Sequence, residues 1–162
     1  MTFGICNLSI VPLRLEPADA SEMVNQVVFG EHFRVVEKTK KWSKIRLAFD
    51  NYEGYIDNKQ YEEITEEIYI SLSEEEKFYA GELIDFITDN NHNLTTIPMG
   101  ARLPNFNNNN ININTTLYSY NGKTCGKKIA KSAIIDTGFL FLKIQKNLFY
   151  TLKNIVMQEN YF

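Results

Sequence analysis

Trp42-Ser43-Lys44-Ile45-Arg46-Leu47, followed after a short turn by Tyr52-Glu53-Gly54-Tyr55-Ile56, decides the reading of this chain. In the first stretch Ile45 and Leu47 fall on one face of an extended backbone and Trp42 on the other. Asp50-Asn51 supplies the turn, and the second stretch is a short β-rich run interrupted by Gly54. Working back toward the N-terminus, Lys38-Thr39-Lys40-Lys41 is a polar turn and His32-Phe33-Arg34-Val35-Val36-Glu37 largely alternates. Val27-Val28-Phe29-Gly30 precedes it, and Ile5 to Leu15 is β-rich, closed by Glu16-Pro17-Ala18-Asp19-Ala20. Ser21-Glu22-Met23-Val24-Asn25-Gln26 reads as a single turn of helix with Ser21 as its cap. Five short strands at this spacing, with a glycine in the last, predict a small closed or nearly closed barrel.

Beyond the barrel comes an acidic segment, Glu62 to Lys77, which reads as a solvated linker or a surface helix. Ser73-Glu74-Glu75-Glu76 has the pattern of a helix start, a hydroxyl cap with a Glu at the third helical position. Leu83-Ile84-Asp85-Phe86-Ile87-Thr88 fits either a strand or the end of that helix. Asp89 to Asn93 is a turn, and Leu94 to Pro98 and Met99 to Pro104 read as extended. Asn107 to Asn110 reads as a loop tip, because Asn tolerates left-handed backbone angles. Ile111 to Asn114 alternates, and Thr115 to Tyr120 is β-rich up to the turn Asn121-Gly122.

From Lys127 to Phe162 there is no proline and one glycine, Gly138. Ile134, Phe141, Leu148 and Ile155 repeat every seven residues, beside a second row of Ile135, Leu142, Phe149 and Val156. Two adjacent rows predict an amphipathic helix, or two helices broken near Gly138. An exposed stripe of this kind would dock onto a protein partner or form a homodimer. The predicted fold class is therefore mainly β, with two small barrels followed by a C-terminal helix. The expected domains are 1–63, 64–126 and 127–162.

Composition sets limits on function. The chain has 162 residues, 44% of them hydrophobic and 13% aromatic, which suits one ordinary folded domain or two small ones. A formal charge of -3 gives no general attraction to nucleic acid or anionic membrane, and neither is an expected partner. No apolar run approaches the ~20 residues that span a bilayer, and Met1 to Cys6 carries no basic leader; a cytoplasmic protein is expected. Cys6 and Cys125 are too far apart in sequence to suggest a paired metal motif and read as reduced thiols. His32 falls in a strand and His92 in a turn. No His-Glu-x-x-His, P-loop or dinucleotide-binding glycine pattern occurs, so no catalytic residue, metal or cofactor is assigned. Lys38, Lys40, Lys41, Lys44 and Arg46 surround Trp42, as a basic hairpin tip beside a core tryptophan or as an anionic-ligand patch. Tyr52, Tyr55 and Tyr61 either complete the core or stack on a ligand.

Pro12 to Pro17, Ser21 to Gln26 leading into Phe29-Gly30-Glu31, Lys41 to Arg46, and Tyr52 to Ile56, in this order and spacing, resemble bacterial SH3-like domains. The set is most similar to the N-terminal domain of NlpC-type cysteine peptidases that trim cell-wall peptides, in the form typical of Bacteroidetes. Ile97 to Pro104 looks like the middle of a second SH3-like barrel, and Lys131 to Leu142 resembles the first helix of the peptidase domain. The resemblance implies a γ-D-glutamyl-diamino-acid endopeptidase architecture, but its Asp-Cys-Ser-Gly-Phe motif has no counterpart after Leu142. The expectation is thus a truncated, non-catalytic module for short muropeptides. In the family the first SH3-like domain narrows the substrate cleft and selects peptides with a free N-terminus. Carried over, Glu22 and Tyr52 are the best-matched residues for the ammonium group, with Tyr55 a weaker one. The other reading is an interaction protein that works through the C-terminal helix.

Overall fold

The alternating segments at the start of the chain become strands β1 (Thr2–Ile5), β2 (Ile10–Arg14), β3 (Met23–Val28), β4 (His32–Lys38), β5 (Trp42–Leu47), β6 (Glu53–Asp57) and β7 (Glu62–Ile64). They form one antiparallel sheet in the order β3-β2-β6-β5-β4-β1-β7. The sheet curls on itself, because Val11, Leu13, Val27, Phe33, Ile45, Leu47 and Ile56 from five strands pack into one buried cluster with Cys6 and Tyr61. Gly54 is required where β6 runs against β2: a Cβ there would lie 2.6 Å from Leu13 Cγ and 2.9 Å from the Arg14 carbonyl oxygen. Trp42 is buried at the end of β5, and the Lys41 ammonium sits 5.4 Å from its ring centroid. The basic stretch around it is therefore a hairpin tip beside a core tryptophan.

The helical turn expected over Ser21–Gln26 is instead the start of β3. Val24, Val27 and Val28 favour extended backbone, and the ladder to β2 satisfies its amides. The Ser21 hydroxyl accepts from the Glu16 amide at 2.9 Å, closing the preceding loop rather than capping a helix.

In this computed structural model, residues 1–126 are described. The expected C-terminal helix, with Ile134, Phe141, Leu148 and Ile155, lies outside the described residues. The acidic segment holds helix α1 (Glu66–Glu74), capped by Thr65 and buried through Tyr69 and Leu72. Ser73 is near its end, not its start: the hydroxyl donates back to the Tyr69 carbonyl at 2.8 Å. Next come β8 (Phe78–Ala80), β9 (Ile84–Asp89), β10 (Leu94–Pro98), β11 (Asn110–Ile113), β12 (Thr116–Tyr120) and β13 (Thr124–Gly126). A second antiparallel sheet has the order β10-β9-β12-β11, beside a two-stranded β13-β8 ribbon. The ambiguous run at 83–88 is thus mostly strand. Met99 to Pro104 is not extended throughout, since Gly100 (φ 83) turns the chain. The asparagine tip does use left-handed backbone, at Asn108 (φ 47) and Asn109 (φ 64).

The second core joins both sheets. Phe3, Ile5 and Phe29 from the first pack with Tyr69, Leu72, Ile87, Ile97, Leu103, Ile111, Tyr118 and Tyr120. At the seam the Arg102 amide donates to the Phe29 carbonyl at 3.0 Å. Gly30 (φ 78) lies so close that a Cβ would overlap the Arg102 carbonyl. Gly30→Ala combines a left-handed residue with a backbone overlap, and is expected to cost roughly 2–4 kcal/mol of stability in urea unfolding. A cost below about 0.5 kcal/mol would mean that this seam is loose.

Candidate functional site

The first barrel presents a row of side chains that β-alternation turns away from its core. Met23 of β3 lies opposite Arg14 of β2, Arg14 opposite Tyr55 of β6, and Tyr55 opposite Lys44 of β5. A bulge between Leu13 and Arg14 bends β2 at the point where it pairs with both neighbours. Glu22 is exposed just before β3, and its carbonyl accepts from the Leu15 amide at 3.0 Å. Two predicted ligand residues, Glu22 and Tyr55, therefore flank the strand that carries Arg14. The Arg14 guanidinium is held by a 2.8 Å bond from Nη1 to the Ser21 carbonyl. A ligand ammonium at Glu22 would have this cation as a neighbour.

Tyr52 sits at the approach to β6, 38% exposed. Its amide donates to Asp50 Oδ1 at 3.0 Å and its carbonyl accepts from the Leu47 amide at 3.0 Å. Three residues of extended chain, roughly 10 Å, separate it from Tyr55, and strand alternation gives the two opposite parity. No hydrogen bond or ion pair joins Glu22, Tyr52 and Tyr55 to one another among the described residues. Tyr61 is a core residue, its hydroxyl 2.9 Å from Ser43 Oγ.

The strongest electrostatics lie elsewhere, in a cluster the sequence did not announce. Arg102 is 4% exposed and His32 5%. Arg102 Nη1 lies 2.8 Å from His32 Nδ1, and Nη2 donates to the Leu72 carbonyl and to Glu75 Oε1, the latter at 3.0 Å. A guanidinium only donates, so His32 Nδ1 accepts, and the neutral ring carries its proton on Nε2. That proton is directed at Ser73 Oγ, 3.0 Å away, whose own hydroxyl donates to Tyr69. Burial, with the Arg102 charge beside it, pushes His32 down to about 3. Burial raises Glu75, against the pull of Arg102. Burial also pushes Glu31 up to about 7, although its Oε2 accepts the Val28 amide at 2.9 Å. The one sequence signal for this cluster is a lone arginine inside Ala101-Arg102-Leu103-Pro104.

Cys6 is close to His32 along the backbone, since Ile5 pairs with His32. Its thiol nevertheless belongs to the barrel core, while both His32 nitrogens face Arg102 and Ser73. Burial pushes the thiol up to about 12. These two residues do not form a nucleophile–base pair. Cys125 lies in β13, and His92 in a turn with φ 63. No group of three or more metal-ligating side chains is found among the described residues, and no described helix is long and apolar enough to cross a membrane.

Comparison with known proteins agrees with the barrel. Residues 13–60 match the family described as the bacterial dipeptidyl-peptidase Sh3 domain. The fold resembles the crystal structure of an NlpC/P60 family protein from Bacillus cereus ATCC 10987, with a TM-score of 0.61 and 14% sequence identity. That likeness covers 84% of this chain, which spans 62% of the other protein's length. No curated protein matches the sequence.

The buried histidine makes stability depend on pH. Unfolded His32 takes up a proton near 6.5 and folded His32 only near 3, so its contribution is present above 6.5 and is lost as pH falls toward 3. Glu31 has the opposite sign: its contribution is present below 4.5 and is lost as pH rises toward 7. His32→Gln keeps an acceptor for Arg102 and a donor for Ser73 but does not titrate. The stability difference between wild type and this variant, from urea unfolding, should fall by up to about 1.4 kcal/mol per pH unit below pH 6.5. A difference independent of pH would mean that His32 is not held neutral.

Proposed function

We propose that this chain is a recognition module related to cell-wall hydrolases, holding short wall peptides by their free N-terminus on the outer face of the first barrel. The observation that carries this reading is the match of residues 13–60 to an SH3 domain of peptidase-associated proteins. Glu22, Tyr52 and Tyr55 all fall inside that segment. The likeness to an NlpC/P60 family protein supports a hydrolase-related role at the level of fold. Glu22 supplies a carboxylate for the ammonium and Tyr52 a hydroxyl acceptor; Tyr55, of opposite parity on the outer row, is the alternative acceptor. The outer row gives this set a rigid base, because Tyr55 is fixed in the ladder between Arg14 and Lys44. In this reading the chain contributes binding and selection rather than bond cleavage, and a short muropeptide is its ligand.

The test is a calorimetric or NMR titration with a short wall peptide whose N-terminus is either free or acetylated. The free peptide should bind at least tenfold more tightly, and Glu22→Gln should remove most of that preference, since a charge-assisted pair is lost. Tyr52→Ala is expected to weaken binding several-fold. Equal affinity for the free and acetylated peptides would refute the ammonium assignment.

A further inference from the structure

A second row on the barrel's outer surface runs across five strands: Ile64, Phe3, Arg34, Arg46 and Glu53 are successive cross-strand partners. Its first part is covered, because the Tyr69 ring of α1 lies 4.5 Å from the Phe3 ring and 5.0 Å from the His32 ring. Where that cover ends, Arg34 and Arg46 stand directly opposite each other. Like charges in this position destabilise a sheet. Arg46 has its counter-charge, donating from Nε at 2.7 Å and from Nη2 at 2.5 Å to Glu53 Oε1. The other oxygen of Glu53 pairs with Lys44 at 3.0 Å, so this carboxylate is fully used. Arg34 has no carboxylate or carbonyl acceptor among the described residues; its partner is the Tyr69 ring face, 5.3 Å from its Cζ. A pocket opens at this point, lined by Arg34, Arg46, Leu47, Ala48, Asn51 and Tyr69.

We propose that this pocket is an oxyanion site, in which Arg34 and Arg46 bind a carboxylate or phosphate group of a small ligand. The cation–π contact holds the Arg34 guanidinium in place through its flat face and leaves its N–H edges for an acceptor. Tyr69 is itself locked by Phe3 and His32, so the geometry exists before the ligand arrives. Ala48 and Asn51 line the same pocket, where the contact to an oxyanion would be a charge-assisted bond. A bound oxyanion would relieve the Arg34–Arg46 repulsion, which otherwise remains as a cost in the free protein. This site has the opposite charge preference to the Glu22 set.

The experiment is thermal unfolding at fixed pH and ionic strength, with chloride replaced stepwise by acetate or, separately, by inorganic phosphate. Wild type should show a saturable rise in Tm with at least one of the two, as expected when a ligand binds only the folded state. Arg34→Gln should show no such rise, and Arg34→Lys should shift the midpoint of the response to at least threefold higher anion concentration. A response to acetate alone assigns a carboxylate ligand and a response to phosphate alone a phosphate. Equal rises in wild type and Arg34→Gln would reveal a general salt effect and overturn the proposal. A saturable shift of the Arg34 Nε–Hε NMR signal provides a readout that does not depend on the variants' stability, and its absence in both titrations also overturns it.

Discussion

The described structure turns on one buried guanidinium. Arg102 comes from the second half of the fold, yet it meets α1 at Leu72 and Glu75 and the first barrel at His32. Taking this charge out of water is costly, and its partners offset that cost only while all of them stay in place. Helix end, barrel strand and second sheet are consequently tied to one another. The apolar core beneath spans the same boundary, from Phe3 and Phe29 to Tyr120, but apolar packing alone specifies position loosely. The directional bonds of Arg102, and the close approach of Gly30, fix where the second sheet sits on the first.

That arrangement divides the outside of the barrel. On the β1–β4 side, α1 and the second sheet cover the strands, and the residues there are structural: Phe3, His32 and Tyr69. On the β2–β6–β5 side the outward row of Arg14, Tyr55 and Lys44 is partly exposed among the described residues. The border between the two regions falls at Arg34 and Arg46. Among the described residues this partly exposed face is where recognition is expected, since the strands hold each side chain in fixed register.

Much of the first barrel was legible in the sequence. Alternation in Trp42–Leu47 and Gly54 in the next run both reflect one-sided burial and a close strand crossing, which are local facts. Helix signals were less faithful, because two competing start sites lie eight residues apart. Thr65 and Ser73 both offer a hydroxyl ahead of glutamates, and α1 uses the first, leaving Glu75 to meet Arg102. Ser21 resembled a cap for the same reason, while the valines that follow it obey the β2 ladder. The candidate residues Glu22, Tyr52 and Tyr55 were legible as residue types within a motif. Their relation through Arg14 was not, because it depends on a strand order of β3-β2-β6 and on a bulge. The Arg102 network and the Arg34–Arg46 pair were hidden more completely, since each needs partners far away in the chain or a register that no short pattern encodes.

The most direct measurement is a backbone amide map of the protein titrated with a short wall peptide bearing a free N-terminus. The account predicts saturable shifts clustered at Arg14, Glu22–Met23 and Tyr52–Tyr55, with the amides around His32 and Arg102 unchanged. Shifts confined to the second sheet, or none at peptide concentrations that saturate a weak site, would contradict it.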